Sequence, residues 1–65
     1  MTDSRTRRSR IVVNNPSTMA ERQAEAERVA HSEAGEQAFN VQVESTGVAI
    51  GIGPMMRWPI TYQVR

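Results

Sequence analysis

Residues 39–64 read FNVQVESTGVAIGIGPMMRWPITYQV, and the period of two in this stretch decides the fold. Phe39, Val41 and Val43 alternate with Asn40, Gln42 and Glu44. Val48, Ile50 and Ile52 alternate with small residues. Trp58, Ile60, Tyr62 and Val64 alternate with Pro59, Thr61, Gln63 and Arg65. Side chains of a strand point alternately to its two faces, so apolar–polar alternation predicts three half-buried strands over 38–44, 47–53 and 58–64. Ser45-Thr46-Gly47 is a credible hairpin turn between the first two, and Gly53-Pro54 breaks the second from the third. The expectation is a three-stranded antiparallel meander.

Upstream of it the period changes to that of a helix. Thr18 followed by Glu21 has the spacing of a capping box, residues 19–34 contain neither proline nor glycine, and Gly35 is the expected stop. A helix over 18–34 places Met19, Ala26, Ala30 and Ala34 on one stripe, with Gln23 inside it and Val29 on its flank. That stripe is almost all alanine, so it can approach a partner closely but buries little area. Further upstream, residues 1–10 (MTDSRTRRSR) have no apolar side chain after Met1. Such a segment cannot offset its ordering entropy by burial, so a flexible basic arm is expected. Ile11-Val12-Val13 is too brief to specify a strand, and Asn14-Asn15-Pro16 breaks the chain. The expected organisation is an arm and turn over 1–16 and one small α+β domain over 17–65.

The net charge of +1 hides a segregation. Residues 1–10 set Arg5, Arg7, Arg8 and Arg10 against Asp3. The helical segment sets Glu21, Glu25, Glu27, Glu33 and Glu36 against Arg22 and Arg28. Every cation is arginine, the side chain whose planar fork best matches phosphate and carboxylate, although a GC-rich coding sequence has the same consequence. Arg5, Arg7, Arg8 and Arg10 are therefore candidates for nucleic-acid phosphates or an acidic protein groove, set against a merely solvated tail.

Chemistry is harder to find. With no cysteine and only His31, disulfides and thiolate or zinc centres are excluded, and no metal or cofactor is expected. His31 stands four residues after Glu27 as an ordinary helix-surface pair, without a nucleophile beside it. The helix glutamates read as a solvated face. Gly51-Ile52-Gly53 is only the first half of a dinucleotide-binding loop: Pro54 removes an amide and Met56 replaces the third glycine. An enzyme is not expected. No secretory signal is read behind Arg7-Arg8, because the apolar run there is three residues against the roughly 7–15 needed. No run approaches the ~20 apolar residues of a membrane span. An intracellular location, or a virion, is expected.

The apolar residues do not balance. Small domains bury only about 60% of the surface their unfolded chain exposes, and here the sheet's inward face far outweighs the alanine stripe. Two remedies stand: neighbouring chains complete the sheet, or the stripe packs close enough to cover it. The first is favoured and marks Phe39, Val41, Ile50, Ile52, Met55, Met56, Arg57, Trp58, Ile60 and Tyr62 as a protein-partner surface, Met, Trp, Tyr and Arg being interface residue types. The leading functional expectation is a non-catalytic accessory or structural subunit of a larger assembly, with a minor or cement-type component of a viral (phage) particle as its concrete form. The alternatives are a small nucleic-acid-binding or ribosome-associated protein using the arm, and a small phage-type inhibitor of a host protein. No membrane or small-molecule partner is expected.

Overall fold

The chain begins its order earlier than its composition suggests. The structure, a computed structural model, describes residues 5–65, and the segment Arg5–Asn14 is a ten-residue strand, β1. It is followed by helix α1 (Met19–Ala34), a single 3-10 turn (Gly35–Gln37), β2 (Ala38–Val43), β3 (Val48–Ala49) and β4 (Met55–Val64). The fold is α+β: one helix and an antiparallel sheet of four strands.

The helix follows its local signals. Thr18 Oγ1 accepts from the Glu21 amide at 3.1 Å, and Glu21 Oε1 accepts from the Thr18 amide at 3.1 Å, so two of the otherwise orphaned N-terminal donors are satisfied reciprocally. Gly35, at φ 63°, ends the helix in a conformation that costs glycine nothing. Its amide donates back to the His31 carbonyl. No helix among the described residues is long and apolar enough to cross a membrane.

The sheet departs from the expected meander. β4 is the central strand, and β1 pairs along its whole length, from Arg5 opposite Val64 to Asn14 opposite Met55. β2 and β3 share β4's other side end to end, both antiparallel to it. β1 and β2 therefore run in the same direction with β4 between them, and α1 is the crossover that joins them over one face. The expected arm is thus an edge strand from Arg5 onward; residues 1–4 of it lie outside the described residues. Ser9, Ile11 and Val13 supply the alternation that pairs with β4, and β4 repays ordering the arginines with a full ladder of backbone hydrogen bonds.

The expected hairpin at 45–47 is absent as well. There the chain steps out of the sheet around Trp58: a Cβ on Gly47 would stand 2.6 Å from the indole ring, so only glycine permits the approach. The true hairpin joins β3 to β4 through residues 50–54, closed by the Ile50 amide donating to Met55 at 3.1 Å. At its base the Asn15 amide donates to the Pro54 carbonyl at 2.6 Å, and the Asn15–Pro16 peptide is cis.

Register sorts the side chains. Ile11, Trp58, Ile60 and Tyr62 face the helix, with Ala38, Val41 and Val43 from β2. Ala26 and Ala30 of the stripe are fully buried against them, as are Ile11, Ile60 and Tyr62. The absence of bulk on α1 is what lets it lie so close. Gln23 Nε2 reaches the Val41 carbonyl at 2.8 Å, binding helix to strand. The chain's own alanine face covers this side of the sheet.

Candidate nucleic-acid interface

One helix covers one face of a sheet, which leaves the other face open. Alternation from the β1–β4 register assigns to it Thr6, Arg8, Arg10, Val12 and Asn14 of β1, and Met55, Arg57, Pro59, Thr61 and Gln63 of β4. From β2 and β3 it receives Phe39, Gln42 and Val48, the partners of Gln63, Thr61 and Arg57. The surface is built in cross-strand rows: Phe39–Gln63–Thr6, then Gln42–Thr61–Arg8, then Pro59–Arg10, then Val48–Arg57–Val12, then Met55–Asn14.

Within β1–β4 no position in these rows is a carboxylate; just past β2, Glu44 donates its amide to the Pro59 carbonyl at 2.9 Å and so continues the Gln42 alternation beside Pro59 and Arg10. The other described carboxylates, Glu21, Glu25, Glu27, Glu33 and Glu36, belong to α1 and the 3-10 turn after it. The segregation of charge along the sequence has become a segregation through the thickness of the molecule. Arg8, Arg10 and Arg57, all exposed, line one shallow depression of about 360 Å³ with Ser9 and Pro59. Alternate residues on a strand stand about 6.8 Å apart, so the guanidinium groups of Arg8 and Arg10 act on the same stretch of any ligand. Among the described residues the only ion pair is Arg28–Glu25, a bidentate contact on the helix. With most of the described carboxylates on the helix side, Arg8, Arg10 and Arg57 give the open face a positive field.

The four arginines grouped by sequence are therefore split. Arg8 and Arg10 reach the open face. Arg5 and Arg7 stand opposite Val64 and Tyr62 on the covered face. Arg7 lies near Glu33, which also accepts from the Tyr62 hydroxyl at 2.7 Å and the Ser9 hydroxyl at 2.8 Å. The Tyr62 bond foremost, then Ser9, holds the Glu33 carboxyl below its ordinary range, with Arg7 and Arg10 adding to it. The same bond, with burial, pushes the Tyr62 hydroxyl up. This cluster pins β1 and β4 to the end of α1.

The expected protein-partner residues are divided as well. Ile60 and Tyr62 are core, at 0% and 2% exposure, and Val41 is half-buried against it. Trp58 packs against the same core beneath Arg22, whose guanidinium carbon stands 4.4 Å from the ring centroid, and Met56 is half-buried. These residues serve the fold. Ile50, Ile52 and Met55 are exposed around the β3–β4 hairpin, and Arg57 belongs with Arg8 and Arg10.

Phe39 has changed faces. Asn40 and Val41 together oppose Tyr62, a β-bulge in which Asn40 sits at φ 53°. The extra residue puts Phe39 on the open side while Val43 stays inward. There Arg65 stands over the Phe39 ring at 5.0 Å. Beside it run Gln42 Nε2 to Asn40 Oδ1 (3.3 Å) and Asn40 Nδ2 to Gln63 Oε1 (3.2 Å). Sequence reading missed this group, because nothing local marks the bulge; an asparagine between two apolar strand residues was its only signal. No protein-family description, curated protein or solved structure matches the chain.

Proposed function

We propose that this chain is a non-catalytic nucleic-acid-binding protein that lays the open face of its sheet on a phosphate backbone and works as an accessory subunit of a nucleoprotein assembly. The observation that carries the reading is the cluster of Arg8, Arg10 and Arg57 on one face, with Glu44 at its margin the one carboxylate residue there among those described. An acidic protein surface would answer the same charge. At the Arg8 end the neighbouring residues favour nucleic acid over it: Thr6, Gln42, Thr61 and Gln63 are hydrogen-bonding side chains, and the apolar Val12, Val48 and Met55 lie toward the hairpin. Protein–nucleic-acid interfaces are more polar and more positive than protein–protein ones, whereas a protein interface needs an apolar, desolvated centre.

Three arginine–phosphate contacts predict modest, sequence-tolerant binding with a log–log salt slope of about −2 to −3. Titrating a random oligonucleotide with the chain at several salt concentrations measures that slope. Replacing Arg8, Arg10 and Arg57 with glutamine should abolish most of the affinity and the slope with it. Undiminished binding by the triple variant, or equal binding of polyglutamate, would overturn the reading.

A second reading rests on the hairpin end. Ile52 is fully exposed, and Val12, Val48, Ile50 and Met55 are exposed around it, an apolar cluster on a small domain. It supports attachment to a neighbouring subunit, as in a component of a viral particle. It also leaves room for completion of the sheet by another chain along a free edge. Light scattering tests it: a mass that stays that of one chain at every concentration, with and without oligonucleotide, rules out self-assembly through this tip.

A further inference from the structure

The Phe39 end of the open face has features that a backbone-binding surface does not need. A phosphate contact requires a guanidinium group and no particular neighbour. Here a strand spends a bulge, with an asparagine in the left-handed region, to bring an aromatic ring and three amides to one corner. Left-handed backbone is tolerated by asparagine better than by other side-chain-bearing residues, but it still costs stability, and bulges are a means of re-aiming side chains.

The amides form a directed chain. Gln42 donates to Asn40, and Asn40 donates to Gln63. Among the described residues this leaves the Gln63 Nε2 donor and the Gln42 Oε1 acceptor unused, one at each end. Next to them, Phe39 and Arg65 already pair ring to guanidinium. Stacking plane, donor and acceptor are the three things that hold an unpaired base, since every base has a π-face and an edge bearing both hydrogen-bond types. A duplex offers none of its faces, because its bases are stacked on one another. Arg8 follows one row further along β1, with Arg10 and Arg57 beyond it.

We propose that this corner is a base-binding site: Phe39 with Arg65 stacks one base of a single-stranded nucleic acid, and Gln42, Asn40 and Gln63 contact its edge, while the strand continues over Arg8, Arg10 and Arg57. This rests on the backbone-binding reading and adds to it the choice of single strand over duplex.

The test uses fluorescence anisotropy with the full chain and three probes of equal length: a mixed-sequence single strand, the corresponding duplex, and an abasic single strand. Phe39→Leu keeps apolar volume without a ring. Asn40→Gly keeps the bulge, since glycine accepts its φ, and removes the central amide. Phe39→Leu should weaken the base-bearing single strand about tenfold and leave duplex and abasic strand unchanged. Asn40→Gly should do the same to a smaller degree, and it carries the test if Phe39→Leu fails to fold by circular dichroism. Equal effects of these variants on all three probes, or none on any, would overturn the base site while the arginine variant still tests the backbone reading. Failure of the unaltered chain to bind any probe at low salt overturns both.

Discussion

Ile60 and Thr61 are neighbours on β4, yet they live in different media. Ile60 is sealed under the alanines of α1, and Thr61 looks out between Arg8 and Gln42. The two faces of this sheet divide the labour of a small protein. The covered face holds the apolar side chains and the tyrosine–glutamate cluster that locks strand to helix. The open face holds arginines, amides and threonines, with Phe39, Val12, Val48, Pro59 and Met55 among them. A chain of 65 residues has few positions to spare. Strand alternation lets each strand give one set of alternate positions to the core and leave the other set on the open face.

The difference is broken most forcefully at Ile60. Ile60→Ala should cost about 2–5 kcal/mol in chemical denaturation, because a fully buried side chain leaves a cavity. Thr61→Ala should stay within about 0.5 kcal/mol of the parent. A similar loss in both would mean that the two faces do not differ. Total stability for domains is roughly 0.05–0.15 kcal/mol per residue, so the Ile60 variant should lose a large fraction of the parent's stability.

Glycines sharpen the same contrast. Gly47→Ala places a methyl group 2.6 Å from the Trp58 ring, and should cost about 1–3 kcal/mol with a change in tryptophan fluorescence. A Cβ at Gly53 meets nothing within 4 Å, so Gly53→Ala should leave both readouts near the parent values. Thr18→Ala should cost about 1 kcal/mol in thermal or chemical unfolding by removing the capping box.

Glu33 contributes on the covered side through its lowered pKa. Its contribution is complete above the ordinary carboxylate range and is lost as pH falls through the depressed folded value. Tyr62, raised by the same bond, contributes below its ordinary value and loses that as pH climbs through the raised one. Urea midpoints followed against pH should therefore show a shallower acid limb in Glu33→Gln than in the parent. The smallest effect belongs to Arg57→Gln, whose unfolding should be unchanged within about 0.5 kcal/mol while its binding salt slope falls by about 0.7–0.9.

Local chemistry was legible from residues alone. Thr18 and Glu21 announce the start of the helix and Gly35 its end, because capping is settled within three or four residues. The alternation from Trp58 to Val64 announces a strand for the same reason. The imbalance between arginine-rich and glutamate-rich segments was also visible, as was the alanine stripe that proved able to cover the sheet.

What sequence could not supply depends on residues far apart in the chain. Arg5–Asn14 reads as a solvated arm until β4 offers it a ladder of hydrogen bonds some fifty residues away. Residues 47–53 read as a full strand, but only Val48 and Ala49 pair, because the residues after them form the hairpin that turns into β4. The bulge at Asn40 moves Phe39 to the open face and leaves Val43 on the covered one, so identical alternation in sequence has opposite outcomes in space. By itself, then, the sequence determined the helix with its caps, the extended character of the segments around β2 and β4, and which charges each segment carries. The tertiary structure alone decided which strands meet, and so which arginines share a face. The physical reason is that caps and periods are local interactions, whereas register is a competition for one central strand's hydrogen bonds.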